Sequence, residues 1–357
     1  MTLHTEAHAF LRQLLETPGP SGFEMAPARV WRQRAEARGG IVSTDVIGNT
    51  SAVFNPHGSP TILFVGHLDE IGVIVHHIDD DGYLYISSIG GWDPQVLVGQ
   101  RIRLLTANGE IVGVIGRKPI HLITPTDRDK AAKVKDLWID IGATSRSDAE
   151  ALVEIGDPGV IDAPVVELAN RRLASRSIDN RVGAFVVLEA AIRYSEQPGR
   201  ARVIALAATQ EEIAWHGGGA GVCASCIGAQ MAIVVDVTFA TDHPGVEKKE
   251  LGAHRIGGGP VLSRGGILSP VVFALLSDVA RSHAIPHSVQ ANPSGTGTDA
   301  DAVARSGTGV PTGLVSLPNR YMHSPNEVVS LDDIDHATTL LTEVARRVDD
   351  TTDFRVR

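Results

Sequence analysis

The chain has 357 residues, of which 43% are hydrophobic and 21% are charged, and its formal net charge at pH 7 is −10. This length suits two domains with a sizeable buried core better than it suits one. The acidic balance argues against a nucleic-acid partner, which would need basic side chains to neutralise its phosphates. The first residues lack the basic and apolar regions of a signal peptide, and no apolar run approaches the roughly 20 residues of a membrane span. We therefore expect a cytoplasmic protein with no membrane partner.

The first part of the chain predicts two helices followed by strands. The helices cover about residues 5–16 and 24–38, with the turn PGPSG between them. Residues 41–54 and 61–67 are rich in β-branched residues and lie between turn signals, which is typical of strands.

From Ile71 to about Asp162 the pattern changes to short apolar runs separated by turns such as DDDG, GGWD and ANGE. That pattern predicts a small all-β barrel, followed by one helix over SRSDAEALVEIG with Ser145 as its cap. After Pro164, near-continuous apolar strands alternate with helices, which is typical of an open parallel sheet covered on both faces. The sequence thus predicts an α/β protein with a three-layer, mostly parallel sheet. Its main domain comprises residues 1–91 and 164–357, and a β-barrel is inserted at 92–163.

Polar residues follow the predicted buried strands at the points where these strands end. Ligand sites in open α/β sheets form beyond the carboxyl ends of the strands, so these side chains are expected to meet. The strand-end residues are His67, Asp69, Glu211, Glu212, Asp236 and His323. Asp179 joins them at the predicted start of a long helix.

Each of these residues also has a purely structural interpretation. A histidine after a buried strand is most often a satisfied core or loop residue, Asp179 alone is most simply a helix cap, and Asp236 alone fits a turn equally well. Together, however, two imidazoles and several carboxylates at one sheet edge suit a divalent ion such as zinc, cobalt or manganese. Five ligands exceed the needs of one catalytic zinc, whereas two ions that share a bridging carboxylate account for the number.

The chain resembles the M42 family, which includes glutamyl and tetrahedral aminopeptidases and members labelled endoglucanases. The resemblance extends over essentially the whole chain. It depends on these strings: HLDEIG (67–72), IGGWDPQ (89–95), KPIHL (118–122), DLWIDIGA (136–143), DNRVG (179–183), TQEE (209–212), VVDVT (234–238), GTDADA (297–302) and RYMHSPNEVV (320–329).

The resemblance implies a fold of the zinc-peptidase type, with a PDZ-like inserted barrel that gates the site and supports assembly. It implies an aminopeptidase that hydrolyses N-terminal residues from short peptides with a free N-terminus. It also implies self-association into dimers that can build a dodecamer. Two divalent ions per subunit are expected, zinc first and cobalt or manganese as alternatives.

The resemblance also implies a role for each site residue. His67 and Asp236 would bind one ion, Glu212 and His323 the other, and Asp179 would bridge the two. Glu211 would be the general base. Asp69 would orient His67 by accepting its second ring N–H group, an arrangement that fixes the tautomer of a metal-binding histidine.

Four further residues are weaker candidates for substrate contacts, and one segment departs from the family. Thr298 and Asp299 lie in a glycine-rich loop and are equally explained as a helix cap, and Arg320 and Tyr321 lie beside His323. After Glu212, residues 213–219 replace a short Val-Gly run of the family with IAWHGGG, so the substrate preference of relatives does not transfer directly. His216 in this segment is a weak candidate ligand.

Three other functions fit parts of the sequence. A dinuclear deacylase or carboxypeptidase shares the ligand order. The family comparison implies, however, that such enzymes usually carry their second domain between the Glu-Glu pair and the last histidine, whereas here the insertion lies between His67 and Asp179. A glycoside hydrolase needs two carboxylates flanking a sugar bond and would leave both histidines without a role. A non-catalytic assembly or peptide-binding protein would not need the complete set of ligands and base. The sequence does not fix the preferred first residue of the substrate or the native metal.

Overall fold

The computed structural model describes residues 5–128, 130–214 and 218–356. The α-helices in these ranges are α1 (Thr5–Glu16), α2 (Met25–Ala37), α3 (Arg146–Glu150), α4 (Ile178–Glu196), α5 (Gly219–Ile227), α6 (Lys248–Leu251), α7 (Pro270–Ser282), α8 (Ala300–Ala304) and α9 (Leu331–Arg347). The strands are β1 (Ile41–Thr44), β2 (Thr50–Phe54), β3 (Thr61–His67), β4 (Gly72–Ile78), β5 (Leu84–Ile89), β6 (Arg101–Thr106), β7 (Gly109–Gly116), β8 (Trp138–Asp140), β9 (Pro158–Ile161), β10 (Val166–Leu168), β11 (Arg172–Ser175), β12 (Arg202–Ala208), β13 (Met231–Phe239), β14 (Val261–Arg264), β15 (Ser288–Ala291), β16 (Thr312–Asn319) and β17 (Glu327–Ser330). No helix of the described residues is long and apolar enough to cross a membrane.

The main domain is built on an eight-stranded sheet in the order β1-β2-β12-β3-β13-β16-β14-β15. Its four central strands, β12, β3, β13 and β16, are parallel to one another. Nearly every residue of these strands is buried, because helices cover both faces of the sheet. The continuous apolar runs seen in the sequence have this cause.

The helices form two layers on either side of the sheet. On one face, α1, α2, α4, α7 and α9 bury the larger part of the core. The centre of this layer is α4, whose residues are almost all buried, and Trp31 of α2 donates a hydrogen bond from its indole nitrogen to the carbonyl of Ala184 in α4 (2.9 Å). On the other face, α5 and α8 pack small side chains against the sheet. The predicted three-layer α/β fold is confirmed.

The inserted module is a closed antiparallel barrel in the order β4-β5-β8-β7-β6-β9, with an apolar core of its own. It lies in the chain between β3, which ends at His67, and β10, which leads to Asp179. Two of its six strands, β4 and β5, precede residue 92. The barrel therefore extends over residues 72–161, and the boundary predicted at 92 falls inside it. The division into domains and the likeness of the barrel to a PDZ domain stay predictions.

One prediction about local structure differs from the fold. The helix expected over residues 145–156 ends at Glu150, although Ser145 caps it as expected by accepting a hydrogen bond from the amide of Asp148 (3.2 Å). Beyond it the chain turns so that the amide of Gly156 donates to the carbonyl of Val75 in β4 (2.8 Å). Pairing with the barrel thus replaces the end of the helix.

Candidate metal centre

The parallel strands bring the predicted ligands to one edge of the sheet. His67 is the last residue of β3, Glu212 follows β12, and His323 follows β16. Asp236 lies inside β13, which continues to Phe239, and Asp179 lies at the start of α4 where the backbone is not yet helical. The structure therefore brings all five residues together, as the order of strands requires.

Asp179 lies between the two imidazole rings. Its Oδ1 is 3.3 Å from Nε2 of His67, and its Oδ2 is 3.4 Å from Nε2 of His323. Asp236 completes the first group, with its Oδ1 3.9 Å from Nε2 of His67. Glu212 completes the second, with its Oε2 3.4 Å from Nε2 of His323. The candidate ligand atoms in each of these groups lie within 4.8 Å of one another, so one carboxylate joins two potential ion sites.

The orientation of His323 fits a bound cation. Its Nδ1 lies 2.7 Å from the carbonyl oxygen of Gly91, which can only accept a hydrogen bond, so Nδ1 carries a proton. In the neutral ring, Nε2 then presents its lone pair to Asp179 and Glu212. A lone pair that faces two carboxylates needs a positive charge between them, and imidazole nitrogen with carboxylate oxygen is a suitable donor set for zinc, cobalt or manganese.

The pKa values show the same demand for positive charge. Burial and the proximity of Asp179 raise the pKa of Asp236 well above its ordinary value. Burial raises the pKa of Glu211 to about 10, with Asp236 adding to the effect. Burial opposes protonation of His323, but the carboxylates of Asp179 and Glu212 outweigh it and raise the pKa of His323 to about 11. Without metal, these carboxylates can be buried together only by taking up protons on the cluster.

Asp69 supports the site from behind. It is fully buried, and its Oδ1 lies 3.4 Å from Nδ1 of His67, within reach of an ion pair although not aligned as a hydrogen bond. The same carboxylate accepts hydrogen bonds from the amides of Glu211 (3.2 Å) and Glu212 (3.0 Å). Asp69 therefore holds the backbone of the glutamate pair and faces His67, and its expected role in orienting the ring of His67 stays a prediction.

A cavity of about 740 Å³ adjoins the glutamate pair. Its described lining includes Glu211, Glu212, Thr298 and Arg305. Thr298, one residue before the N-cap position of α8, accepts a hydrogen bond from the amide of Ala300 (3.1 Å), and it also borders this cavity. Both of its sequence-based interpretations thus have a structural counterpart.

Asp299 has a less usual environment. It is 1% exposed, and neither carboxylate oxygen has a hydrogen-bond partner among the described residues. Burial raises its pKa to about 7, His67 lowers it and Asp69 raises it. Asp299 thus lies close enough to His67 and Asp69 to interact with their charges. A contact between Asp299 and the substrate stays a prediction.

Arg320 and Tyr321 differ in their availability. The guanidinium of Arg320 donates from Nη2 (2.8 Å) and Nε (3.1 Å) to the carboxylate of Asp242, so it is already paired. Tyr321 is 53% exposed and packs beside the ring of His243. The candidate ligand His216 and the neighbouring Trp215 lie outside the described residues.

Glu327, at the start of β17, is not among the candidates that the sequence indicates. This side chain is buried and accepts hydrogen bonds from the amides of Asp179 (2.8 Å) and His323 (2.9 Å). The only signal in the sequence is an acid four residues after His323, in the string RYMHSPNEVV. That signal does not reveal which backbone groups a carboxylate will bind.

The fold and the site define a metal-dependent peptidase of the zinc-peptidase type. The profile described as M42 glutamyl aminopeptidase matches residues 48–340. The chain belongs to this M42 family and is a metal-dependent aminopeptidase that cleaves N-terminal residues from peptides.

Individual relatives cover nearly the whole chain. The lysyl aminopeptidase of Pyrococcus furiosus is 34% identical over 338 residues, which cover 92% of this chain and 94% of that protein. The TET aminopeptidase of a Thaumarchaeota archaeon from marine sediment has a TM-score of 0.91 at 33% identity and covers 96% of this chain and 97% of that one. The TET1 peptidase of Pyrococcus horikoshii, which can assemble into a tetrahedron or a large octahedral shell, has a TM-score of 0.84 at 29% identity, with coverage of 96% and 100%.

Proposed function

We propose that the enzyme works with two divalent ions per subunit, held by the residues at the edge of the sheet. His67 and Asp236 bind one ion, Glu212 and His323 bind the other, and Asp179 bridges them. The observation that carries this proposal is the position of Asp179, whose two oxygens face the two imidazoles at 3.3 Å and 3.4 Å. Zinc is the first candidate, and cobalt and manganese suit the same donors.

Glu211 is the general base of the proposed mechanism. Two divalent ions at such a centre lower the pKa of water and polarise the scissile carbonyl. Glu211 lies beside this centre and lines the cavity, with Oε2 3.8 Å from Nε2 of His67. Its carboxylate accepts a proton from the attacking water and passes it to the leaving amine. Asp69 positions Glu211 for this task through its backbone amide.

The substrates are short peptides with a free N-terminus. The buried carboxylates around the centre favour an amino group over a blocked one, and the adjoining cavity is large enough for the first side chain. The relatives do not fix the preferred residue, since the family description names glutamyl and the P. furiosus enzyme lysyl substrates. The described lining of the cavity contains both Arg305 and Asp301, so its charge alone does not select an acidic or a basic first residue.

The test combines metal removal with a substrate panel. Chelator-treated enzyme is expected to lose activity and to regain it with zinc, cobalt or manganese, with two equivalents bound by elemental analysis. Aminoacyl p-nitroanilides with acidic, basic and apolar first residues measure the preference, and their N-acetylated forms should not be cleaved. Activity that survives complete metal removal, or equal cleavage of acetylated substrates, would contradict the proposal.

We also propose that the chain forms dimers that assemble into a dodecamer, with the barrel supporting these contacts. The TET1 peptidase of P. horikoshii can assemble into a tetrahedron or a large octahedral shell, and its structure matches 96% of this chain. The cytoplasm is the proposed location, with neither a membrane nor a nucleic acid as partner. The acidic net charge of −10 supports the last point.

A further inference from the structure

Glu327 links two parts of the chain that are far apart in sequence. Its Oε2 accepts the amide of Asp179, at the start of α4, and its Oε1 accepts the amide of His323, in the loop after β16. The side chain is 2% exposed, so water does not compete for these bonds. One rigid carboxylate thus fixes the backbones of two residues whose side chains face each other at 3.4 Å.

Both linked backbones are irregular and need such support. Asp179 has φ −76° and ψ 105°, so its amide lies outside the regular hydrogen-bond ladder of α4. His323 has φ 58°, in the left-handed region, which is unfavourable for a non-glycine residue. Buried amide groups without an acceptor are also unfavourable. Glu327 satisfies both amides at once, which stabilises these two conformations together.

We propose that Glu327 is a positioning residue that sets the spacing between Asp179 and His323 and thereby the affinity of the centre for its second ion. The proposal depends on the ligand assignment given above. Glu327 does not need to touch the metal or the substrate. It acts through the backbones of two ligands, one of which belongs only to the second ion.

The substitution Glu327→Gln tests this role with almost no change of volume. An amide side chain offers one acceptor oxygen and one NH₂ donor, so one of the two backbone amides would face another donor. Because the proposed second ion is bound by both Asp179 and His323, its affinity should fall about 10- to 100-fold whichever of the two amides loses its acceptor. The ion bound by His67 and Asp236 should be retained.

Asp333 provides a matched control. It is also fully buried, and it accepts the amides of Gly257 and Gly259 (2.7 Å each). It lies in the first turn of α9, and among the described residues none of its hydrogen bonds involves a candidate metal ligand. Asp333→Asn therefore introduces the same chemical defect at a buried pair of backbone amides. It should lower stability and leave metal affinity unchanged.

The measurement is a cobalt titration of chelator-treated protein, followed by the d–d absorption of Co²⁺ and by elemental analysis after dialysis. Asp333→Asn should bind two ions with the same affinities as the wild type. Glu327→Gln should bind the first ion as tightly as the wild type and the second ion more weakly. A Glu327→Gln titration that matches the wild type would overturn the inference while leaving the proposed function intact. A wild type that binds fewer than two ions would instead contradict the proposed function.

A second variant keeps the test decisive if Glu327→Gln does not fold. Glu327→Asp retains both acceptor oxygens but is one methylene shorter, so it cannot reach both amides in the present geometry. It should also weaken the second ion selectively. Thermal unfolding of the metal-free proteins identifies the variant to be titrated. Unaltered affinity for both ions in the folded variant would again overturn the inference.

Discussion

Adjacent glutamates at the end of β12 point to different partners because Asp69 holds both of their backbone amides. Glu212 turns towards His323, whereas Glu211 lies near His67 and the cavity. This separation allows one carboxylate to bind metal while its neighbour carries a proton. At the scale of single residues, the proposed mechanism depends on this difference in role between Glu212 and Glu211.

Glu211→Gln should therefore separate chemistry from metal binding. The amide cannot accept the proton, so kcat is expected to fall by about 10²- to 10⁴-fold, the range typical of general bases. Metal content, measured by elemental analysis, should stay at the wild-type level. His67→Ala and His323→Ala are the controls, because each should lose metal. A Glu211→Gln variant with near wild-type turnover on a peptide substrate would show that another group is the base.

The sequence could indicate the candidate ligands because they share a rule of position. His67, Glu212 and His323 end or follow strands of the parallel part of the sheet, Asp236 lies near the end of β13, and Asp179 starts the helix beside them. The five could therefore be placed at one edge without coordinates. Asp179 and Asp236 gain their interpretation only from this joint placement. Glu327 could not be found in the same way, because its partners are backbone amides, and its contact with Asp179 joins segments that only the folded chain brings together.

Hydrogen bonds between elements hold the segments around the site in their relative positions. Arg181, in the first turns of α4, is fully buried and donates to the carbonyls of Leu14 (2.6 Å) and Thr17 (2.8 Å) at the end of α1. It also donates to the carbonyl of Leu68, directly after β3, and forms an ion pair with Glu70 (3.1 Å). One side chain thus joins α1, α4 and the segment that follows His67.

Arg181→Met should destabilise the fold strongly. The substitution preserves much of the volume but leaves Glu70 and several buried carbonyls without this donor, and such losses typically cost about 3–5 kcal/mol. Urea unfolding of metal-free protein measures the effect. Arg171→Met is the control, because Arg171 forms a half-exposed pair with Asp332 (2.7 Å) and should cost about 1 kcal/mol or less. Equal losses in both variants would contradict this account of Arg181.

A second connection between elements predicts a dependence on pH. Asp242 follows β13, and its pair with Arg320 fastens that loop to the end of β16. Partial burial raises the pKa of Asp242, but the hydrogen bonds and charge of Arg320 outweigh it and hold the pKa below the ordinary 3.8. Because the pKa is lower in the folded state, the stabilisation is complete above about pH 4 and is lost as the pH falls through the folded pKa.

Asp242→Asn should accordingly lower the Tm of the metal-free protein at pH 7, by the equivalent of about 1–3 kcal/mol for bonds to a charged group. The difference in Tm between variant and wild type should narrow as the pH falls below about 4. Thermal unfolding followed by circular dichroism from pH 7 to pH 3 measures it. A difference that stays constant down to pH 3 would show that the charge of Asp242 does not contribute.

Prediction at the scale of elements succeeded where one pattern lasted over many residues. The buried runs of the central strands and the apolar faces of α1 and α9 leave little choice of structure. The end of α3 was less predictable, because pairing with the barrel determines where this helix stops. The change of pattern at Ile71 does indicate the start of the barrel at β4, whereas the domain boundary predicted at residue 92 leaves β4 and β5 outside the insertion.

At the scale of the whole molecule, the barrel contacts the candidate metal centre. Gly91 follows β5 and accepts the hydrogen bond from His323 that fixes the tautomer of this ring. A side chain at position 91 would meet the same ring, since an added Cβ would lie 3.2 Å from Nδ1 of His323. The insertion therefore contributes directly to the orientation of a candidate ligand. A movement of the barrel would change the hydrogen bond between Gly91 and His323, and with it the orientation of the His323 ring.

The predicted self-association of the chain can be tested by its mass in solution. Light scattering coupled to size-exclusion chromatography should give a mass that is a multiple of the 37.8 kDa chain, and at the largest a dodecamer.

Ile120 and Leu122 of the barrel module are 54% and 64% exposed, so charged substitutions there should reduce the assembled mass if the barrel forms the contacts. Val46, on the loop between β1 and β2, is fully exposed in the main domain, and Val46→Glu is the matched control. A wild-type monomer would contradict self-association. A wild-type oligomer that Ile120→Glu with Leu122→Glu left intact would instead move the contacts away from this part of the barrel.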